Sequence, residues 1–466
     1  MDSRRIKRTL ANTASVLLLA MLGACASLPD AERLSAQRER VRVATQSGEM
    51  SKTRSATVIA ALDTKEDGFL ARHLAVEQAI SGAPLVAGNA TQILKDGPST
   101  YKAMLAEIRR ARYFIHMESY IFDDDAVGNF FADELIAKRR QGVDVALMVD
   151  AVGTLTSSDA LFARLRAEGI AVVVFNPLNP MKGLTNWSPN QRSHRKLLVV
   201  DGKVGFVGGI NVSDVYQSSS FVRSSPDPED LPGGKNAPWR DTHVRIEGPA
   251  VAEIERVFQD GWQSQNGTPI STRQWLSAAG DPGNTIVRIL ANRPGAEDSF
   301  SVYLTLMSAF QSAQRSIYIT MAYFVPDPAF IEALSDAARR GVDVVLVLPG
   351  FSDSSIVLQA GRSNYQALLD AGVKIYERRD ALLHAKTAVV DGVWSTIGSS
   401  NMDWRSFTLN YEINAVMLGD TFAAEMEGLF AMDRAAAVQI TPQMWRDRGM
   451  GDRFTEFFGR LFERML

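Results

Sequence analysis

Two stretches decide how this chain is read: Ser193-His194-Arg195-Lys196-Leu197-Leu198-Val199-Val200-Asp201-Gly202 and His384-Ala385-Lys386-Thr387-Ala388-Val389-Val390-Asp391-Gly392. Both obey the spacing H-x-K-x-x-x-x-D. A chain with only 5 His would hold on the order of 0.01 such matches by chance. The apolar run after each Lys reads as a strand, where side chains i and i+2 share a face. His194 and Lys196 should therefore point into one cavity, as should His384 and Lys386, with Arg195 and Ala385 pointing away. Asp201 and Asp391 each open an Asp-Gly turn, and they are expected to hold the motif in shape through hydrogen bonds. A second strand follows each time and ends in Gly208-Gly209-Ile210-Asn211 or Gly398-Ser399-Ser400-Asn401. Those endings return an amide side chain and close-approaching glycine backbone to the same mouth.

Working outward, the order of elements around the two motifs repeats. A strand-like run at 111–122, a helix to Arg140 and Gly142-Val143-Asp144-Val145 recur as a run at 314–325, a helix to Arg340 and Gly341-Val342-Asp343-Val344. Strands separated by helices of roughly 10 to 15 residues indicate parallel βαβ units. The expected fold class is α/β: two tandem α/β sandwich domains, residues 86–275 and 285–440, forming a pseudo-twofold dimer within one chain. A site can then be built from one element of each half, with no obligate oligomer. Residues 25–85 read as a tether and N-terminal helical segment. Residues 218–239 form a Ser-, Pro- and Gly-rich insertion, a lid or a tolerated loop. The last segment, 441–466, sets Phe454, Phe457, Phe458, Leu461, Phe462 and Met465 at helical spacing between charges. It reads as an amphipathic helix that either packs on the second half or lies in a membrane interface.

Composition narrows the function. The 50 Lys plus Arg against 53 Asp plus Glu give a net charge of -3, the wrong balance for a general nucleic-acid binder, which must neutralise phosphates. One cysteine excludes an internal disulfide and any cysteine-rich metal site. Arg4, Arg5, Lys7 and Arg8 precede the apolar run 16–22, the layout of a secretory signal peptide. Leu22-Gly23-Ala24-Cys25 after it resembles the bacterial lipobox, which implies cleavage at 1–24 and a diacylglyceryl group on Cys25. Ala26 in place of Asp then favours the outer membrane, at its periplasmic face. Loss of residues 1–24 removes four positive charges and Asp2, so the -3 of the whole chain becomes -6. Attraction to anionic lipid by net charge is not the recruiting force.

The motif pair, each trailed by G-[GS]-x-N, resembles the phospholipase D superfamily over roughly residues 86–440. Ser193-His194-Arg195-Lys196, His384-Ala385-Lys386, Asn401-Met402-Asp403-Trp404-Arg405-Ser406-Phe407 and Leu94-Lys95-Asp96-Gly97 look like its cardiolipin synthase subgroup. The resemblance implies a phosphatidyltransferase that moves a phosphatidyl group through a phosphohistidine to a lipid or alcohol hydroxyl, phosphatidylglycerol being the expected substrate. A neutral imidazole in line with phosphorus splits one hard displacement into two. A protonated one gives its proton to the leaving alkoxide. By resemblance His194 is the nucleophile and His384 the acid and base, a symmetry the residues themselves do not break. Lys196 and Lys386, with Asn211, Ser399 and Asn401, are expected to donate to the phosphate oxygens. No metal or cofactor is expected, since the two lysines supply the positive charge. Each imidazole needs an acceptor on its other nitrogen, and the resemblance assigns Asp241 to His384 and Glu412 to His194 across the interface. Hydrolysis to phosphatidic acid is the alternative outcome, and a nuclease or a noncatalytic lipid-binding role a more distant one. His73, His116 and His243 read as packing residues, and Glu118, Tyr120 and Tyr323 as strand residues that line the pocket or the core.

Overall fold

The two Gly-Val-Asp-Val segments account for much of the architecture. Gly142 and Gly341 take φ values of 89° and 94°, just beyond the helices Ala126–Arg140 and Pro328–Arg339. That is the left-handed region glycine enters without strain, so each helix stops there. Val143 and Val342 turn into the core, and the strands Asp144–Asp150 and Asp343–Pro349 begin. The computed structural model describes residues 28–29, 39–62, 68–179, 188–217, 237–270, 280–296, 299–461 and 463. The leader, Cys25, most of the 218–239 insertion, Phe462 and Met465 lie outside the described residues.

In the first half Phe114–Ser119 pairs parallel with Asp144–Asp150, which pairs parallel with Ala171–Phe175. From its other edge the sheet continues antiparallel through Leu197–Val200, Val204–Gly208, His243–Glu247 and Leu85–Leu94. The second half repeats this strand for strand. Ser316–Met321, Asp343–Pro349 and Lys374–Arg378 are parallel, and Lys386–Val390, Trp394–Gly398, Asn410–Leu418 and Thr285–Asn292 continue antiparallel. Parallel βαβ units thus make only part of each half. The motif strands are hairpins, because an Asp-Gly turn is too short to cross between parallel strands.

Those turns carry a second device. Asp201 and Asp391 both sit at φ 53°, a left-handed position that Asp tolerates better than most residues. The Asp201 carboxylate accepts from the backbone N–H groups of Arg112, Tyr113 and Phe114 at 2.8 to 3.0 Å. Asp391 accepts from Gln314, Arg315 and Ser316 in the same way. The motif aspartates therefore clamp the start of the neighbouring strand and stand at the far end of the motif strand from the histidines.

The halves meet edge to edge where Leu85–Leu94 and Thr285–Asn292 pair antiparallel, Val86 opposite Val287. A hydrophobic cluster that includes Val86, Val207, Val244, Val287, Ile413 and Met417 crosses this seam. Each fully buried aliphatic side chain there contributes about 1.5–3 kcal/mol, so the seam is core and not a loose contact. Of the 25–85 segment, the helix Phe69–Ser81 packs on the second half, with Leu70 and Leu74 against Val302 and Phe310. His73 is fully buried there, 3.0 Å from Ser308 Oγ. The terminal helix Met450–Arg460 also packs on the second half, against Ser355–Arg362. It does so through Glu456 and Gly459, and its phenylalanines face outward.

Candidate active site

Each motif histidine hangs from the backbone of the opposite half. Arg192–Ser193 pairs parallel with Asn410 and Tyr411, and the His194 N–H donates to the Tyr411 carbonyl at 2.9 Å. Reciprocally, Trp239–Arg240 pairs parallel with Leu382–Leu383, and the His384 N–H donates to the Arg240 carbonyl at 2.7 Å. The strand ends that hold the histidines also carry the acids. His384 Nδ1 lies 2.7 Å from Asp241 Oδ2, and His194 Nδ1 lies 3.2 Å from both oxygens of Glu412. The structure thus brings together the two cross-half pairs expected above.

Lys196 stands just before the strand Leu197–Val200 and Lys386 opens the strand Lys386–Val390, and each ammonium donates to the carbonyl of its own motif histidine, Lys196 at 2.6 Å. Arg195 points the other way, as the alternation requires. Its buried guanidinium donates to the carbonyls of Glu412, Val257 and Asn292, so it ties the first motif to the second half. Arg240 does the same for the Asp241 segment through Asp433, at 2.7 and 2.8 Å. A carboxylate this deep needs such positive partners to stay ionised.

The close approach explains the glycines. A Cβ on Gly209 would stand 2.2 Å from Asp241 Oδ1, and one on Gly398 2.1 Å from Asn414 Oδ1. The three expected phosphate donors divide. Asn401 keeps a buried Oδ1 without a hydrogen-bond partner. Asn211 accepts from Ile121 N–H and donates to Tyr216 Oη at 3.1 Å. Ser399 departs furthest from the expectation: its hydroxyl donates to Glu412 Oε2 at 2.5 Å and accepts from Ile413 N–H. Glycine precedes it in the motif, the backbone is tight, and the nearest acceptor is the carboxylate, so Ser399 fixes Glu412.

Burial and the nearby ammonium of Lys196 push His194 down to about 4, against the opposing pull of Glu412. His384 is lowered by burial and Lys386, against the opposing pull of Asp241. Burial, with help from the other lysine, lowers Lys196 to about 7, and burial lowers Lys386 to about 8. Burial alone would raise Asp241 and Glu412, but the imidazoles and lysines outweigh it and hold both carboxyls below their ordinary range. Charges of one half are felt in the other: Lys386 bears on His194, and Lys196 on His384. The four cationic or basic groups therefore share one locale.

Two aromatic groups beside the site, Trp239 and Tyr216, were not singled out by the sequence, whereas Tyr120 and Tyr323 were expected to line the pocket or the core. The Trp239 ring centroid lies 5.1 Å from that of His384, and Tyr216 6.2 Å with its hydroxyl 3.4 Å from Nδ1. Tyr120 and Tyr323 stand at the equivalent strands, 5.1 Å from His194 and 6.4 Å from His384. Trp239 lies two residues before Asp241, a position the strand alternation brings to the same face. Glu118 accepts from the Ser193 hydroxyl and Asp150 from the Ser193 N–H, which braces the approach to His194. The remaining histidines are structural: His116 bonds Glu255 at 2.8 Å, and His243 Nδ1 accepts from Ile210 N–H. Among the described residues there is no group of three or more His, Cys, Asp or Glu placed to hold a metal.

Known proteins match this arrangement. The family described as cardiolipin synthase, PLD-like domain, matches residues 104–220 and 306–434, one segment in each half. A cardiolipin synthase of Alkalihalophilus pseudofirmus is 35% identical over 391 residues, covering 82% of this chain and 73% of that protein. One from Geobacillus kaustophilus is 36% identical over 389 residues, 82% of this chain and 74% of its own length. A probable cardiolipin synthase of Bacillus subtilis is 34% identical over 377 residues, 80% and 72% respectively. In three dimensions the chain resembles the phosphatidylserine synthase of Haemophilus influenzae, with a TM-score of 0.61 at 13% identity over 84% of this chain and 99% of that one. That likeness speaks for the fold alone. With both halves matched and identity sustained along most of its length, the chain belongs to the cardiolipin synthase family of PLD-like proteins.

Proposed function

We propose that this chain is a phosphatidyltransferase of the cardiolipin synthase type that works by two displacements at one phosphorus. His194 Nε2 attacks the phosphodiester of a donor phospholipid, the bond to the departing alcohol breaks, and His384 gives that alkoxide its proton. The hydroxyl of a second lipid then returns a proton to His384 as its oxygen displaces His194. One phosphodiester replaces another, so no nucleotide is consumed. With phosphatidylglycerol as donor and acceptor, the products are cardiolipin and glycerol.

The single observation that carries this reading is the reciprocal pairing of His194 with Glu412 and His384 with Asp241. A hydrogen bond at Nδ1 leaves the lone pair on Nε2, the form a nucleophile or base requires. An asymmetry supports the division of roles. Asp241 approaches His384 to 2.7 Å, which favours an imidazolium there. Glu412 stands 3.2 Å from His194 and divides its charge with Ser399 and Asn410. His194 is therefore the better neutral nucleophile, and His384 the better acid and base. Lys196 and Lys386 supply the positive field for the non-bridging oxygens, Asn401 a further polar group, and Asp201 and Asp391 the framework.

We further propose that the chain is cleaved before Cys25, acylated on that cysteine, and held in the bacterial cell envelope at the periplasmic face of the outer membrane. Several acyl chains anchor a protein stably at about 0.8 kcal/mol per buried methylene. The segments 86–275 and 285–440 remain our division of the body.

Purified chain given phosphatidylglycerol vesicles should yield cardiolipin and glycerol, resolved by mass. Phosphatidic acid as the main product would overturn transfer in favour of hydrolysis. His194→Ala should lower product formation by roughly 10³-fold or more, and an active variant would exclude the phosphohistidine route. The pH profile of kcat/KM should fall below about pH 4 as His194 gains a proton, and again above about 7 to 8 as Lys196 and Lys386 lose theirs. A profile flat to pH 10 would contradict the role given to the lysines. The N-terminal peptide of the envelope-extracted protein should begin at a diacylglyceryl Cys25, and an unmodified cysteine there would refute the anchor.

A further inference from the structure

The terminal helix Met450–Arg460 is built inside out. A helix on a water-facing surface normally turns its apolar stripe to the core. Here the buried residues are Glu456 and Gly459. Gly459 makes the approach possible, since a Cβ there would stand 2.6 Å from the Ala360 nitrogen. Glu456 is neutralised in place by Arg448, at 2.9 and 3.0 Å. The opposite face presents Met450, Phe454, Phe457, Phe458 and Leu461, exposed by 83, 64, 62, 49 and 62%. Phe454 and Phe458 touch ring to ring at 5.2 Å. Ile356 on the supporting helix is itself 48% exposed. Scattered exposed apolar residues need no account, but aromatic side chains gathered on one turn-to-turn face do.

Position and charge say what covers this face. The supporting helix Ser355–Arg362 begins two residues after Asp353, whose carboxylate accepts from the Tyr323 hydroxyl at 2.6 Å. The Tyr323 ring in turn faces His384. The apolar face therefore stands one helix away from the second motif histidine. Arg446, Arg453 and Arg460 are exposed beside it, a set suited to phosphate headgroups. Pairing the face with a second copy of itself would bring these like charges together. Among the described residues no helix is long and apolar enough to cross a membrane, yet the substrate is a bilayer lipid.

We propose that the exposed face of Met450–Arg460, with Ile356, is a docking surface for an anionic lipid bilayer. The phenylalanines enter the headgroup boundary and the arginines meet the phosphates, which sets the mouth at His384 against the lipid surface. This rests on the phosphatidyltransferase reading and adds to it the element that presents the enzyme to its substrate. An acyl chain on Cys25 would hold the protein near a membrane without orienting it.

The test uses the full chain and its Phe454→Ser/Phe457→Ser/Phe458→Ser variant. Each is assayed on phosphatidylglycerol vesicles and on monomeric dihexanoyl-phosphatidylglycerol. The variant should lose roughly tenfold or more in kcat/KM on vesicles and keep its rate on the monomeric lipid, which also shows that it folds. In parallel, full chain carrying Phe457→Trp should lose fluorescence on vesicles whose acyl chains are brominated. Equal rates on vesicles, or no quenching, would overturn the proposal. Self-association that disappears in the variant while vesicle turnover stays would make the face a contact between copies. If neither lipid is turned over, the transferase reading fails, and the quenching still decides docking by itself.

Discussion

Every functional feature of this molecule depends on the exchange of supports across the seam between its halves. Both His194 and His384 lean on the opposite half: the carbonyl that accepts from the backbone N–H of each, and the carboxylate at its Nδ1, come from across the seam. A neutral imidazole with a fixed tautomer requires a buried acceptor, and a buried carboxylate requires positive partners. Arg195 and Arg240, both fully enclosed, reach across to tie the same segments in place. Separating the halves would strand two carboxylates and two guanidiniums at once, so the site and the seam are one structure.

The duplication gives near symmetry, and chemistry profits from its small failures. The first motif has Arg195 where the second has Ala385, and a serine hydroxyl draws on Glu412 where Asp241 meets the backbone N–H of Thr242. Around His384 gather Trp239, Tyr216 and Tyr323, while His194 has Tyr120. These differences place the two imidazoles in different fields. A reaction that needs one of them as nucleophile and the other as acid benefits from that inequality. The second half also carries the outward phenylalanines, so the His384 side of the site is the side nearest the surface we assign to lipid.

Much of this was legible in the chain itself. The paired H-x-K spacing, in the short extended links that lead into the strands Leu197–Val200 and Lys386–Val390, placed His194 with Lys196 and His384 with Lys386, because residues two apart in an extended chain share a face. The doubled Gly-Val-Asp-Val marked helix ends, since glycine is the residue that stops a helix in the left-handed region. The assignments of Asp241 and Glu412 came from family resemblance, as no local pattern tells which half an acid will face. What stayed hidden is long-range. Ser399 resembled a phosphate donor until the proximity of Glu412 claimed its hydroxyl. Tyr216 stands at the near edge of the long insertion and has no repeat-based signal. The helical spacing of Phe454, Phe457 and Phe458 predicted an amphipathic element, but periodicity cannot say which face turns inward. That was decided by Gly459 and by the ion pair of Glu456 with Arg448.

The most direct test is to look for the covalent phosphorus. The full chain, mixed with phosphatidylglycerol, quenched in alkaline denaturant within a turnover and digested, should carry a phosphatidyl adduct on the peptide containing His194, and a His384→Asn chain should form that adduct more slowly because the departing alkoxide has lost its proton donor. An adduct on any other residue, or continued transfer with no adduct, would contradict two imidazoles from opposite halves acting on a single phosphorus.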